Sequence, residues 1–237
     1  MPYFLCEGRR QVGEEFAHTH ADAAHLLQSR RIRRGEQVQV QDEAGARFLA
    51  ELTAVRGRTP HLLLLEALPV PHLPTPHLTL VQAQVKDKAL ESLVQKCTEL
   101  GAAHLVLFAA EHSSLPKGRK EESARLERLG KIAWEACKQS GRQFPPAITW
   151  MEGLGAALGA LEPGGARLML HPGGERLPDS VRGAEHAAVL VGPEGGLTNA
   201  EVARAVEAGF TPWGLGGYIL RADTAAMAAC AAVFHAS

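Results

Sequence analysis

The chain is predicted to be an α/β protein, with a parallel, helix-flanked sheet in its C-terminal part and a small β domain before it. Three observations predict this. Short alternating strands crowd the first 70 residues, a proline-rich tract follows, and beyond it strands and helices alternate. Such alternation is the pattern of a parallel sheet covered on both faces, because each parallel neighbour needs a crossover.

In the N-terminal part, Gln37–Gln41 (QVQVQ) alternates with the period of a half-buried strand. Asp42–Ala46 (DEAGA) is a turn, Arg47–Thr53 (RFLAELT) a second strand and His61–Glu66 (HLLLLE) a third. Closely spaced short strands predict a small barrel. One helix is expected over Ala21–Arg31. Pro69–His77 (PVPHLPTPH) holds four prolines, which fix φ and remove backbone donors, so it is neither helix interior nor central strand. It divides the chain into domains 1–70 and 71–237.

Beyond the linker, His77–Gln84 reads as a strand. Apolar residues at Leu90, Leu93, Val94, Cys97 and Leu100 then follow helical spacing over Asp87–Leu100, with Gly101 as the stop. His104–Ala109 is a buried strand and Glu121–Ser140 a long helix ended by Gly141. Arg167–His171, Ala187–Gly192 and Trp213–Gly216 read as strands. Thr198–Ala208 is a helix with a Thr198/Glu201 capping box, and Ala222–His235 is a final alanine-rich helix.

Composition narrows the function. Of 237 residues 46% are apolar, enough for a real core, and the net charge of -1 does not by itself announce a nucleic-acid binder. The four cysteines are scattered and form no CxxC pair, and the histidines form no HExxH pair, so no metal site is expected. Met1–Arg10 places its apolar residues before its arginines, the reverse of a secretory leader, and no apolar run reaches membrane-spanning length. A soluble, cytoplasmic protein with no membrane partner is expected.

Three glycine-rich segments fall at predicted strand ends, where open α/β sheets bind ligands: His171–Gly174, Gly192–Gly196 (GPEGG) and Gly214–Arg221 (GLGGYILR). Without a Cβ the backbone can approach a ligand closely, and main-chain groups can read an adenine edge and a ribose. GPEGG lacks the Gly-Lys-Ser/Thr of a P-loop, and Gly214–Gly217 lacks the GxGxxG spacing. A tight turn before a capped helix would use the same GPEGG residues. Two basic stretches are candidates for gripping RNA phosphates: the arginines Arg30, Arg31, Arg33 and Arg34, and the segment Lys117–Arg142, where eight lysines and arginines face four glutamates. Gln139 and Arg142 sit at the end of the latter. Plain solvated surface is the alternative for both stretches.

Taken together, GPEGGLTNAE (Gly192–Glu201), LGGYILRADTA (Leu215–Ala225), VQKCTELG (Val94–Gly101) and EACKQSGRQFPP (Glu135–Pro146) resemble the ribosomal RNA small subunit methyltransferase E family of the SPOUT superfamily. The resemblance spans nearly the whole chain. It implies a PUA-like β-barrel followed by a trefoil-knotted α/β domain. It also implies a homodimer, S-adenosylmethionine (SAM) as methyl donor, and N3-methylation of a uridine in the 16S RNA of the small (30S) subunit. By motif, SAM would contact Leu170, His171 and Pro172, then Gly192, Pro193, Glu194, Gly195 and Gly196, then Leu215, Gly216, Ile219, Leu220 and Arg221. His25, Arg31, Arg33, Gln139 and Arg142 would face RNA. The chain departs from the family where Asp223 replaces the usual glutamate and where Gln28 stands for the middle arginine of an H-x-x-R-x-x-R pattern.

Uridine N3 is a poor nucleophile until its proton is lost. Arg142 and Arg221 are the candidates for stabilising the resulting anion, and Glu194 or a water for accepting the proton. Alternatives are another ribosomal or tRNA nucleotide as target, or a non-catalytic RNA-binding protein.

Overall fold

The computed structural model describes residues 3–28, 32–113 and 119–236. Two compact units form, Met1–His72 together with Cys137–Phe144, and Leu73–Ala136 together with Pro145–Ser237. The octapeptide Cys137–Phe144 is thus part of the first unit although it follows the linker by more than sixty residues.

The first unit contains β1 (Tyr3–Leu5), β2 (Glu15–Ala17), α1 (Asp22–Gln28), β3 (Gln37–Gln41), β4 (Arg47–Arg56) and β5 (Thr59–Leu68). They form a five-stranded sheet in the order β1-β3-β4-β5-β2, parallel at β1/β3 and antiparallel elsewhere. The β3–β4 hairpin is closed by Asp42, whose carboxylate accepts the Ala46 N–H at 2.9 Å, and by Gly45 at φ +86°. Val38, Val40, Phe48, Ala50, Leu52, Leu62 and Leu64 alternate inward and pack with Phe4, Phe16 and Leu26. Each fully buried aliphatic side chain of this kind contributes about 1.5–3 kcal/mol. Helix α1 starts one residue later than expected, and the predicted end at Arg31 lies outside the described residues. The proline tract holds neither helix nor strand over 69–76.

The second unit contains β6 (His77–Ala83), α2 (Asp87–Leu100), β7 (His104–Phe108), most of α3 (Arg119–Ser140), β8 (Ala147–Met151), α4 (Leu154–Gly159), β9 (Ala166–Glu175), β10 (His186–Val191), α5 (Asn199–Glu207), β11 (Thr211–Trp213) and α6 (Ala222–Ala236). Its six strands are all parallel, in the order β11-β9-β10-β6-β7-β8. Successive side chains of a strand point to opposite faces, and both faces are covered. Leu78, Leu80, Leu105, Leu107, Val189 and Val191 pack under α2, α3 and α6. Val81, Ala83, Val106, Phe108, Ala188 and Leu190 pack under α4 and α5. Helix α2 stops where predicted, at Gly101 with φ +105°, whose N–H caps the Cys97 and Thr98 carbonyls.

Two strands beside the glycine-rich segments have other bounds than expected. The chain after Leu170 continues extended to Glu175, so His171–Gly174 belongs to β9 and not to a loop. The last strand is Thr211–Trp213, upstream of the predicted Trp213–Gly216, because pairing with β9 ends at Trp213 and Glu175. Among the described residues no helix is long and apolar enough to cross a membrane.

Candidate cofactor and RNA site

The order of the sheet brings the three glycine-rich segments together. They lie at or beyond the carboxyl ends of β11, β9 and β10, three neighbouring strands. The neighbours β10 and β6 are far apart in sequence, so the strand order reverses there, which is where open parallel sheets form ligand crevices.

GPEGG is a closed turn. The Gly196 N–H donates to the Pro193 carbonyl at 2.9 Å, and Gly196 has φ +74°, a conformation that disfavours a side chain. The Glu194 carboxylate accepts the N–H of Lys86, just before α2, at 3.3 Å. Nδ1 of His112 lies 3.3 Å from the Gly196 carbonyl. The capping box is formed as predicted, with Thr198 accepting the Glu201 N–H at 3.3 Å and Glu201 accepting the Thr198 N–H at 2.8 Å. Gln82, on β6, was not foreseen here. It is fully buried, and its Nε2 donates to the Ala83 carbonyl at 2.7 Å and the Gly192 carbonyl at 3.4 Å. A lone glutamine in an apolar strand reads as a surface position, and only the strand order reveals its neighbour.

The glycines divide by what surrounds them. A Cβ on Gly174 would stand 2.5 Å from the Trp213 main chain, and one on Gly214 would stand 2.6 Å from the Gly174 carbonyl. These two glycines let chain pass chain, and the Gly214 N–H seals the crossing by donating to the Glu175 carbonyl at 2.8 Å. A Cβ on Gly192 would press on Leu197, and one on Gly195 would come 3.1 Å from the His112 Cβ. Around Gly196, Gly216 and Gly217 nothing lies within 4 Å of that position.

The other expected cofactor residues fall on the same segments. Leu170 is half-buried, His171 and Pro172 are exposed, and His171 Nδ1 accepts the Gly173 N–H at 3.2 Å. Leu215 and Leu220 are half-buried, whereas Tyr218 and Ile219 are about nine-tenths exposed. Arg221 is largely exposed, with Nε 3.9 Å from Asp223, and its carbonyl accepts the Ala225 N–H in the first turn of α6.

The RNA candidates lie in the first unit. Arg142 follows the end of α3, is half-buried, and donates from Nε to the Phe144 carbonyl at 2.6 Å. Burial lowers the pKa of its guanidinium from the ordinary value. Gln139, His25 and Arg33 are exposed, and the His25 ring centroid is 6.0 Å from that of Phe4. Arg30 and Arg31 lie outside the described residues.

Among the described residues, four cations of the Lys117–Arg142 stretch are ion-paired. Arg125 pairs with Asp87 at 2.7 Å, Arg128 with Glu91 at 3.0 Å, Lys131 with Glu127 at 2.6 Å and Lys138 with Asp22 at 3.0 Å. The acids facing Arg125, Arg128 and Lys138 come from α2 and α1, whereas Glu127 lies within the segment itself. Lys117 and the side chains of Arg119 and Lys120 lie outside the description. All four cysteines are free and buried. Among the described residues no group of three or more His, Cys, Asp or Glu is placed to hold a metal ion.

Comparison with known proteins settles the family. Residues 71–234 match the model of the RNA methyltransferase domain family. The chain is 30% identical to ribosomal RNA small subunit methyltransferase E of Synechocystis, over 98% of this chain and 77% of that one. The same-named protein of Bacillus subtilis is 27% identical, over 98% and 95%. The chain belongs to the ribosomal RNA small subunit methyltransferase E family. Among solved structures, that of the Neisseria gonorrhoeae family member bound to S-adenosyl methionine matches with TM-score 0.87 and 28% identity, covering 98% of this chain and 96% of that one. A Legionella pneumophila methyltransferase in complex with SAM has the same fold, with TM-score 0.85 at 24% identity.

Proposed function

We propose that the chain is a SAM-dependent methyltransferase that modifies N3 of a uridine in 16S ribosomal RNA, working as a cytoplasmic homodimer on the RNA or the 30S subunit. The second unit is read as the trefoil-knotted SPOUT domain and the first as a PUA-like, RNA-gripping barrel. The observation that carries the reading is the meeting of the three glycine-rich segments at the ends of β11, β9 and β10, inside the stretch that matches the family.

The residues present fit the cofactor. The open space over Gly196, Gly216 and Gly217 lets a flat base and a ribose approach main-chain groups that a Cβ would screen. Leu170, His171, Pro172, Gly192, Pro193, Glu194, Gly195, Gly196, Leu215, Gly216, Ile219, Leu220 and Arg221 would hold it. When bound, SAM supplies an electrophilic methyl group on a sulfonium. The protein then has to orient the uracil and favour loss of its N3 proton. Arg142 and Arg221 are the cations assigned to the developing charge on the pyrimidine oxygens, where a preorganised donor acts only as charge appears. Glu194, already anchored by the Lys86 N–H, or a water takes the proton.

The test is calorimetry with SAM followed by single-turnover methylation of 16S RNA and 30S subunits, with the product nucleotide mapped by mass. SAM binding with N3-methyluridine formation is the expected result. Binding with a different modified nucleotide would redirect the specificity, and no SAM binding would refute the enzyme reading.

A further inference from the structure

One buried cation stands outside the roles assigned so far. Arg47, the first residue of β4, is only 5% exposed, and among the described residues it forms no ion pair with a carboxylate. Its Nη1 donates to the Gly141 carbonyl at 2.9 Å, and its Nη2 to Oε1 of Gln41 at 2.7 Å and to the Arg142 carbonyl at 3.4 Å. The guanidinium lies over the Tyr3 ring, 4.0 Å from its centroid. The Tyr3 hydroxyl donates to the Arg142 carbonyl at 2.7 Å, and Gln41 Nε2 donates to the Gln143 carbonyl at 2.7 Å. Gln143 in turn donates from Nε2 to the Gly45 carbonyl at 2.9 Å. Three consecutive carbonyls, those of Gly141, Arg142 and Gln143, are therefore held by side chains of β1, β3 and β4. Burial raises the phenol pKa of Tyr3, so its hydroxyl stays a donor at assay pH.

These carbonyls follow the C-terminus of α3, the negative end of its dipole, so a cation beside them is stabilised. A surface lysine or water would satisfy them at less cost than a buried guanidinium whose Nε has no partner. What Arg47 adds is direction. Its planar fork, backed by Tyr3 and Gln41, fixes the main chain on both sides of the Arg142 Cα.

We infer that Arg47, with Tyr3 and Gln41, is the positioning device for Arg142, setting the backbone from which the Arg142 side chain acts. This rests on the reading that Arg142 stabilises the uridine anion. The first unit then does more than grip RNA, because it shapes the segment that carries a reacting-site arginine.

The test uses the full-length protein, with single-turnover methylation and SAM affinity measured on each variant. Arg142→Ala should slow methylation by roughly 10²–10³-fold, with partial recovery as pH rises. Arg47→Met removes the cation but keeps the bulk; it leaves the Gly141 carbonyl and Gln41 Oε1 without their donor, so a modest loss of stability should accompany it. Its rate should fall by up to about 10²-fold with SAM affinity unchanged, and recover with pH in the same way. Arg47→Lys should rescue poorly. The double variant Arg47→Met/Arg142→Ala should be no slower than Arg142→Ala alone, because the two losses pass through one group. Losses that multiply, or a wild-type rate for Arg47→Met beside a slow Arg142→Ala, would overturn the positioning role. A wild-type rate for Arg142→Ala would sink the underlying reading instead. If Arg47→Met fails to fold, Tyr3→Phe decides: a smaller, pH-rescued loss of about tenfold supports the role, and an unchanged rate removes it.

Discussion

The interiors of the two units are built from different chemistry. Among the described residues the first unit buries the polar side chains His18, Gln41, Asp42, Arg47 and Lys138, four of which are ionisable. The polar side chains buried in the second, among the described residues, are Gln82, Gln84 and Thr98, all neutral. A parallel sheet covered on both faces leaves no room for charge, and the second unit achieves its close chain crossings with glycine. The first unit must order a segment from far along the chain, and it does so with charged and hydrogen-bonding side chains. The second unit should therefore respond to added volume and the first to pH.

The largest effect is expected in the second unit. In Gly174→Ala the new Cβ meets Trp213 main chain at 2.5 Å and Gly214 nitrogen at 2.7 Å, and backbone cannot turn aside as a side chain can. Overpacking of this kind costs about 3 kcal/mol. Chemical denaturation should show that loss equally at neutral and mildly acid pH. A variant of wild-type stability would mean that the β9–β11 crossing is looser than the structure shows.

An intermediate effect belongs to the first unit. His18 is 1% exposed, and neither ring nitrogen has a hydrogen-bond partner. Burial, helped by neighbouring His20, pushes its pKa down to about 4 from 6.5. Between those values the unfolded chain binds a proton that the folded chain refuses, so stability is intact above about pH 6.5 and falls as pH drops towards 4. The loss should reach about 2 kcal/mol between roughly pH 7 and 5. The amide protection factors of Val38 and Leu62 should fall over that range while those of Leu80 and Val189 do not. His18→Leu should flatten the response, and an unchanged acid response in that variant would assign the sensitivity to other groups.

How much of this was legible in the sequence follows the same division. Helix α2 was read to its exact residues, since five apolar positions at helical spacing and a terminal glycine agree. Strands β6, β7 and β10 were found because buried parallel strands are continuous apolar runs. Strands β1 and β2 were missed, being three residues each, too short to show a period. Strand β8, an edge strand with no buried residue, and α4, a six-residue helix, were missed for the same want of signal. Proline and glycines hid the extension of β9 through Glu175. At the site, the glycine-rich strand ends were visible, but whether each glycine faces a ligand or another stretch of chain was not. Arg47 was invisible because a cation beginning a strand reads as exposed, and its partner carbonyls lie more than ninety residues away.

The smallest effect on stability is expected at Gly217, where the effect should fall on cofactor affinity instead. It lies in the second unit like Gly174, yet a Cβ there would have nothing within 4 Å, and its φ is outside the left-handed region. Gly217→Ala should therefore change stability by no more than about 0.5 kcal/mol. Gly216, with φ +114°, offers no such clean comparison, because any side chain there strains the backbone. If the space over Gly217 is where the cofactor meets the chain, a methyl group must weaken SAM binding while leaving the fold alone. A branched side chain must weaken it further, so Gly217→Val should cost more than Gly217→Ala, with the alanine variant already losing about tenfold in affinity, roughly 1.4 kcal/mol. The measurement is calorimetry with SAM on variants first shown to melt like the parent. A graded loss of affinity at constant stability would separate the glycines that serve the cofactor from those that serve the chain. Parental affinity in both variants would take Leu215–Arg221 out of the cofactor site and leave its glycines without a binding role.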